Sequence, residues 1–219
     1  MISWASGTGT HTDTYQNSQI VRDAAAGRVD LLRIASLQYV LSEDQAPGRL
    51  PIASERCRKE GVIFASRRSG VTNFATAPGS RLALGQTNST LTFWGRARLR
   101  TEGLRARDFR SVVHFSGVRR DREPDPTRPK GSEERDSESQ AHRRVIEAVS
   151  LGQADVGVAS RMQFELNRYR RGGLVELGSF SYTPDVYVAR RGFDAAWVGA
   201  LQKALQSFQG PADRKLLGA

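Results

Sequence analysis

Residues 81–103 read as a short buried strand, a tight polar turn and a long helix, and this order limits most strongly what the chain can fold into. Arg81-Leu82-Ala83-Leu84 is an apolar run of strand length, and Gly85-Gln86-Thr87-Asn88 has turn composition. From Thr92 onward the pattern is helical, with apolar Phe93, Trp94 and Ala97. Asn88, Ser89 and Thr90 therefore fall at the helix entrance, where two readings stay open. In one they are N-caps, because a short side-chain oxygen accepts from an unpaired first-turn N–H. In the other, backbone N–H groups, hydroxyls and the positive end of the helix dipole converge as a seat for a phosphate-like oxyanion. No Lys follows a glycine here, so the segment is not a nucleotide-hydrolase P-loop.

The same alternation recurs along the chain. Residues 1–6 read as a strand, residues 16–26 as a helix closed by Gly27, and residues 29–35 as a second strand, a unit that implies a parallel sheet. Residues 153–159 repeat that logic, with a helix ending at Gly152, an Asp and a buried strand. The echo between AGRVDLL and LGQADVG suggests two similar α/β lobes. Asp30 and Asp155 stand at the strand entries, where holding a turn is the expected role. Further strands are expected at 61–66, 109–116, 174–177 and 186–190. A basic helix is expected at 162–171, and an amphipathic helix at 194–208 capped by Asp194. Residues 42–59 read as loop. Residues 117–141, crowded with charges and three prolines, read as a disordered surface insertion.

Composition excludes several classes. The net charge of +10 invites an acidic partner, yet no RNA-binding signature or zinc-finger spacing accompanies it, so the basicity reads as diffuse and specific nucleic-acid binding is not expected. The single Cys57 excludes an internal disulfide and a cysteine-rich metal site. His11, His114 and His142 lie far apart, and neither G-x-S-x-G nor H-E-x-x-H occurs, so no enzyme, metal or cofactor is expected; His114 reads as a strand histidine. No apolar run approaches the roughly 20 residues needed to span a bilayer.

Leu82-Ala-Leu-Gly-Gln-Thr-Asn-Ser-Thr resembles the segment that opens the second lobe of phosphonate and phosphite substrate-binding proteins of ABC transporters. That family tends to place a Ser-Thr-Ser triplet there around the ligand's phosphoryl oxygens. Here Ser89 and Thr90 match and Leu91 takes the third place, with Thr92 next. Ala26-Gly27-Arg28-Val29-Asp30-Leu31 resembles the family's entry into a first-lobe strand, and Tyr39, which beside Val40 and Leu41 also reads as half-buried core, falls where the family carries a cleft-lining Tyr, although Ser36-Leu37 replaces the usual Gly-Pro. Arg67-Arg68-Ser69-Gly70-Val71 resembles the family's R-K-D-S-G-I stretch, with Arg68 in place of the acid. An aromatic expected just before that strand is absent, since Lys59 and Glu60 occupy its place. His142 stands where the family has a His at a helix start, either aimed at an oxyanion or exposed in the first turn.

The resemblance implies an α/β, two-lobe, type II periplasmic-binding-protein-like fold with mixed sheets. Residues 1–66 and 184–219 would form the first lobe and residues 67–183 the second. Judged against the family, the first lobe is expected to be incomplete, lacking its first strand and helix. The implied function is capture of a phosphonate-, phosphite- or phosphate-like oxyanion in an interlobe cleft as the solute-binding component of an ABC transporter. Asn88, Ser89, Thr90, Thr92, Tyr39 and His142 would surround it, and transporter membrane subunits would be its partners. The family is periplasmic, yet the N-terminus shows neither a basic nor an apolar signal region. That predicts a truncated start or a cytoplasmic relative, with a ligand sensor or a nonbinding relative as the second functional reading.

Overall fold

A computed structural model of the chain describes residues 4–6, 22–23, 25–43, 47–54, 59–87, 89–115, 138–171 and 173–207. Most of the expected helix at 16–26, Cys57, Asn88, His11 and most of the charged insertion lie outside these residues. The chain divides into two compact units, one of residues Met1–Cys57 with Pro184–Ala219 and one of Arg58–Thr183.

In the first unit, β1 (Trp4–Ser6) runs parallel to β2 (Leu31–Ile34), as the strand, helix, strand reading requires. β9 (Val186–Ala189) pairs antiparallel with β2, and β3 (Leu50–Ser54) with β9, giving the order β1-β2-β9-β3. Alternation along β2 sends Leu32 and Ile34 to a face with Val29, Val188 and Tyr39, and Leu31 to the other with Ile52 and Ala189. Helix α1 (Ser36–Leu41) carries Tyr39. On the second face, the helix Ala195–Ser207 lays down Val198, Leu201 and Leu205. Asp194 caps that helix as expected, accepting from the amides of Ala196 at 2.7 Å and Trp197 at 3.3 Å. Asp30 does more than hold a turn, because its carboxylate accepts from Arg190 Nε at 2.6 Å and ties β2 to the end of β9.

β3 corrects the sequence reading of 42–59 as loop. Pro51 hid it, since proline cannot donate within a central strand, but β3 is an edge and carries a bulge between Pro51 and Ala53.

The second unit is built on β4 (Lys59–Ser66), which pairs antiparallel with β7 (Val156–Ser160) on one side and β8 (Leu174–Tyr182) on the other. β5 (Arg81–Leu84) runs parallel to β7 and to β6 (Ser111–His114), so the order is β6-β5-β7-β4-β8. Residues 58–66, expected in the first lobe, thus belong to this unit, because both hydrogen-bonded edges of β4 are used here. The strand expected at 174–177 runs on to Tyr182, with a register shift opposite Ile63 and Phe64.

Helix α2 (Thr90–Thr101) covers one face of this sheet. α3 (Glu138–Ser150) and α4 (Arg161–Arg171) cover the other. Ile63 and Ala65 of β4 pack with Leu91 and Leu99 of α2, whereas Val62 and Phe64 pack with Val145, Ile146 and Phe164 of the opposite helices. Two expectations change. Phe93 and Trp94 are exposed, at 49% and 38%, and stack edge to face at 5.8 Å, because Leu91, Thr92, Gly95 and Leu99 occupy the inward stripe. Residues 138–141, placed in the insertion, belong to α3, with Ala141 buried.

Gly95 sets how closely α2 approaches. A methyl group there would stand 2.6 Å from Val158 Cγ1, inside contact distance. In an isolated helix Gly→Ala stabilises by about 1 kcal/mol. Here Gly95→Ala is expected to destabilise by about 1–3 kcal/mol through overpacking, read as a lower urea midpoint.

Candidate functional site

The candidate site grows from the end of β5. Leu82, Ala83 and Leu84 are buried because both faces of the strand are covered by helices. Its entry is anchored by Arg81, whose guanidinium forms a two-point pair with Asp155, Nε to Oδ2 at 3.0 Å and Nη2 to Oδ1 at 2.8 Å. The Arg81 amide adds a third bond to Oδ2 at 2.8 Å, and Nη2 also reaches the Gly152 carbonyl at the end of α3. Asp155 is therefore structural. Its hydrogen bonds from Arg81 hold its carboxyl below the usual aspartate range, against the opposing effect of burial.

Beyond Leu84 the chain bends at Gly85 and enters α2. Ser89 is the N-cap, its hydroxyl accepting from the Thr92 amide at 3.3 Å, so the capping reading of this residue holds. Helix geometry leaves the Thr90 and Leu91 amides without intrahelical acceptors. The hydroxyls of Thr90 and Thr92 have no hydrogen-bond partner among the described residues, although both side chains are buried. Each such hydroxyl costs about 1–3 kcal/mol of desolvation until something bonds to it.

His142 joins this group from α3. It follows at least one turn of that helix and is buried, which corrects both its expected place at a helix start and the exposed reading. Gly85 is the meeting point, because a methyl group on it would stand 3.2 Å from Thr92 Oγ1 and 3.6 Å from His142 Cδ2. Its carbonyl accepts from His114 Nδ1 at 2.9 Å, which fixes the proton on that nitrogen since a carbonyl can only accept. The sequence reading passed over Gly85 as an ordinary turn glycine. Only the contact of β5, α2 and α3 reveals its role.

Ser89, Thr90, Thr92 and His142 are 5%, 4%, 1% and 3% exposed, so all four side chains are buried. Leu91, in the third place of the expected hydroxyl triplet, is fully buried in the sheet core; it anchors the helix while Thr92 supplies the next hydroxyl. Tyr39 belongs to the first unit, where its ring packs beside Val29 and Leu32 and carries the Arg49 guanidinium at 5.2 Å. Asn88 lies outside the described residues. Glu60, in place of the expected aromatic, pairs with Arg161 at 2.9 Å. Among the described residues no group of His, Cys, Asp and Glu is arranged to hold a metal. The arrangement offers hydroxyl and amide donors and a helix dipole, which suits binding of an oxyanion rather than bond-breaking.

Residues 2–219 match the family model described as the ABC transporter, phosphonate, periplasmic substrate-binding protein. The chain belongs to this family. It is thus a periplasmic-type solute-binding protein and not an enzyme. Among solved structures it is similar to PhnD1 of Prochlorococcus marinus in complex with methylphosphonate, at 16% identity and a TM-score of 0.66, covering 92% of this chain and 74% of that one. It is also similar to a Xanthomonas citri protein bound to ATP, at 19% identity and TM-score 0.62, covering 89% and 70%. The Escherichia coli periplasmic aliphatic sulphonate binding protein matches at 16% identity and TM-score 0.62, covering 86% and 56%. These likenesses share the type II binding-protein fold. No protein in the curated set matches the sequence. No helix among the described residues is long and apolar enough to cross a membrane.

The lowered Asp155 pKa has a signed consequence. Its contribution to stability is present above the ordinary aspartate pKa and is lost as pH falls through the lower folded value. Asp155→Asn is expected to lower the thermal midpoint at neutral pH. The gap to the parent should narrow as the pH drops below about 4 in melts at a series of pH values.

Proposed function

We propose that this chain is the solute-binding component of an ABC transporter and captures a small phosphonate-, phosphite- or phosphate-like oxyanion at the N-terminus of α2. The observation that carries the reading is the pair of buried, unpartnered hydroxyls of Thr90 and Thr92 in a helix first turn. Ser89 holds the turn open as cap, the Thr90 and Leu91 amides supply two further donors, and His142 closes the side of the seat at Gly85. Family membership and the fold shared with a methylphosphonate-bound protein support the ligand class. The shared fold of a sulphonate-binding protein makes sulfonates the competing tetrahedral anions. In this reading the partners are the transporter's membrane subunits and the site of action is the periplasm. The seat is drawn from the second unit alone and does not require Tyr39.

Calorimetric titration with methylphosphonate, phosphite, phosphate and methanesulfonate tests this. Hydrogen bonds to a charged group contribute about 1.5–3 kcal/mol each, so the double substitution Thr90→Ala with Thr92→Ala should weaken binding at least about a hundredfold. Thr92→Ser should keep most of it. Unchanged affinity in the double variant rules out this seat, and no binding of any of the four by the parent chain favours the nonbinding relative.

A further inference from the structure

The excess positive charge, diffuse along the sequence, is partly gathered by the fold. A cavity of about 650 Å³ opens in the second unit between the C-terminal half of α2, the loop after it and the edge strand β6. Its floor is apolar, with Leu82, Leu99 and Phe109 among the lining residues. Its rim holds Arg96 and Arg100 of α2 and Arg105 and Arg107 of the following loop, all four exposed.

Among the described residues none of these four arginines forms an ion pair, whereas Arg81, Arg98, Arg161 and Arg190 each hold a carboxylate. The neighbouring acids are engaged elsewhere. Glu102 pairs with Arg98, and Asp108 accepts from the Arg105 amide at 2.6 Å. Four guanidiniums around one cavity repel one another, and the helix dipole favours only Arg100, in the last turn. The charge around this cavity is complementary to an anion. The volume falls within the roughly 300–1,000 Å³ of small-molecule pockets and exceeds what a bare oxyanion fills.

We infer that this groove is a second ligand site, distinct from the α2 N-terminus, which takes an alkyl or aryl phosphate: a phosphate head among Arg96, Arg100, Arg105 and Arg107 and a hydrocarbon body against the leucine and phenylalanine floor. Arginine suits the head because its planar fork donates two parallel hydrogen bonds to phosphate oxygens. A free phosphate ester and the headgroup of an anionic lipid share this chemistry.

Octyl phosphate titrated at low ionic strength into the full chain carrying Thr90→Ala and Thr92→Ala, which removes the hydroxyls of the oxyanion seat, tests the site, with inorganic phosphate and octanol as its separate halves. Octyl phosphate is expected to bind at least about tenfold tighter than either half, and more weakly as salt is added. The Arg100→Gln, Arg107→Gln variant should lose about tenfold or more while keeping its circular dichroism and thermal midpoint. Because that background lacks the threonine hydroxyls, binding in it separates this site from the oxyanion seat whether or not that seat binds phosphonate. Absence of octyl phosphate binding in the threonine background, or equal affinity there once Arg100 and Arg107 are also replaced, overturns the inference. Where octyl phosphate binds, arginine-dependent retention on phosphatidic acid vesicles assigns the lipid headgroup as the source, and no retention assigns the free ester.

Discussion

The pairing of Arg81 with Asp155 fixes the geometry on which the candidate site depends. Arg81 opens β5 and Asp155 immediately precedes β7, so their two-point contact sets the parallel register Leu82↔Val156. A slip of one residue would turn Leu82 and Leu84 from one face of the sheet to the other. The same guanidinium holds the Gly152 carbonyl, so strand entry and the end of α3 are located by one side chain. Gly85 then lands where Thr92 of α2 and His142 of α3 close on it.

Much of the second unit was legible in the sequence because its signals are local. Strand β5, the cap at Ser89 and the glycine that ends α3 each follow from neighbouring residues. The family resemblance on Ser89 and Thr90 pointed to the helix mouth. What failed depends on residues far apart in the chain. Phe93 and Trp94 look like the apolar stripe of α2 until Gly95 is seen to lie against Val158, which rotates the inward face to Leu91 and Leu99. Strand β3 is invisible while Pro51 is taken for a breaker, and becomes intelligible once β3 is known to be an edge. The burial of His142 could not be read because its helix begins in a stretch whose composition is that of a solvated loop.

Helix α2 divides its two ends between different chemistries. The first turn carries no charged side chain and presents amides, hydroxyls and the positive end of the helix dipole. The last turns carry Arg96 and Arg100 and lean toward the basic groove. His114 lines that groove and donates to the Gly85 carbonyl, so one glycine touches both regions. Part of the basic composition, the four arginines of the groove, is thus set apart from the uncharged helix entrance.

The proline in β3 also bears on how the protein behaves when crowded. Pro51 removes a donor from the outermost strand of the first unit's sheet, and the bulge beside it breaks the regular spacing that an incoming chain would need as a template. A feature that resembles a defect within one molecule therefore acts between molecules. Both departures from a regular ladder make this rim a poorer template for a foreign strand.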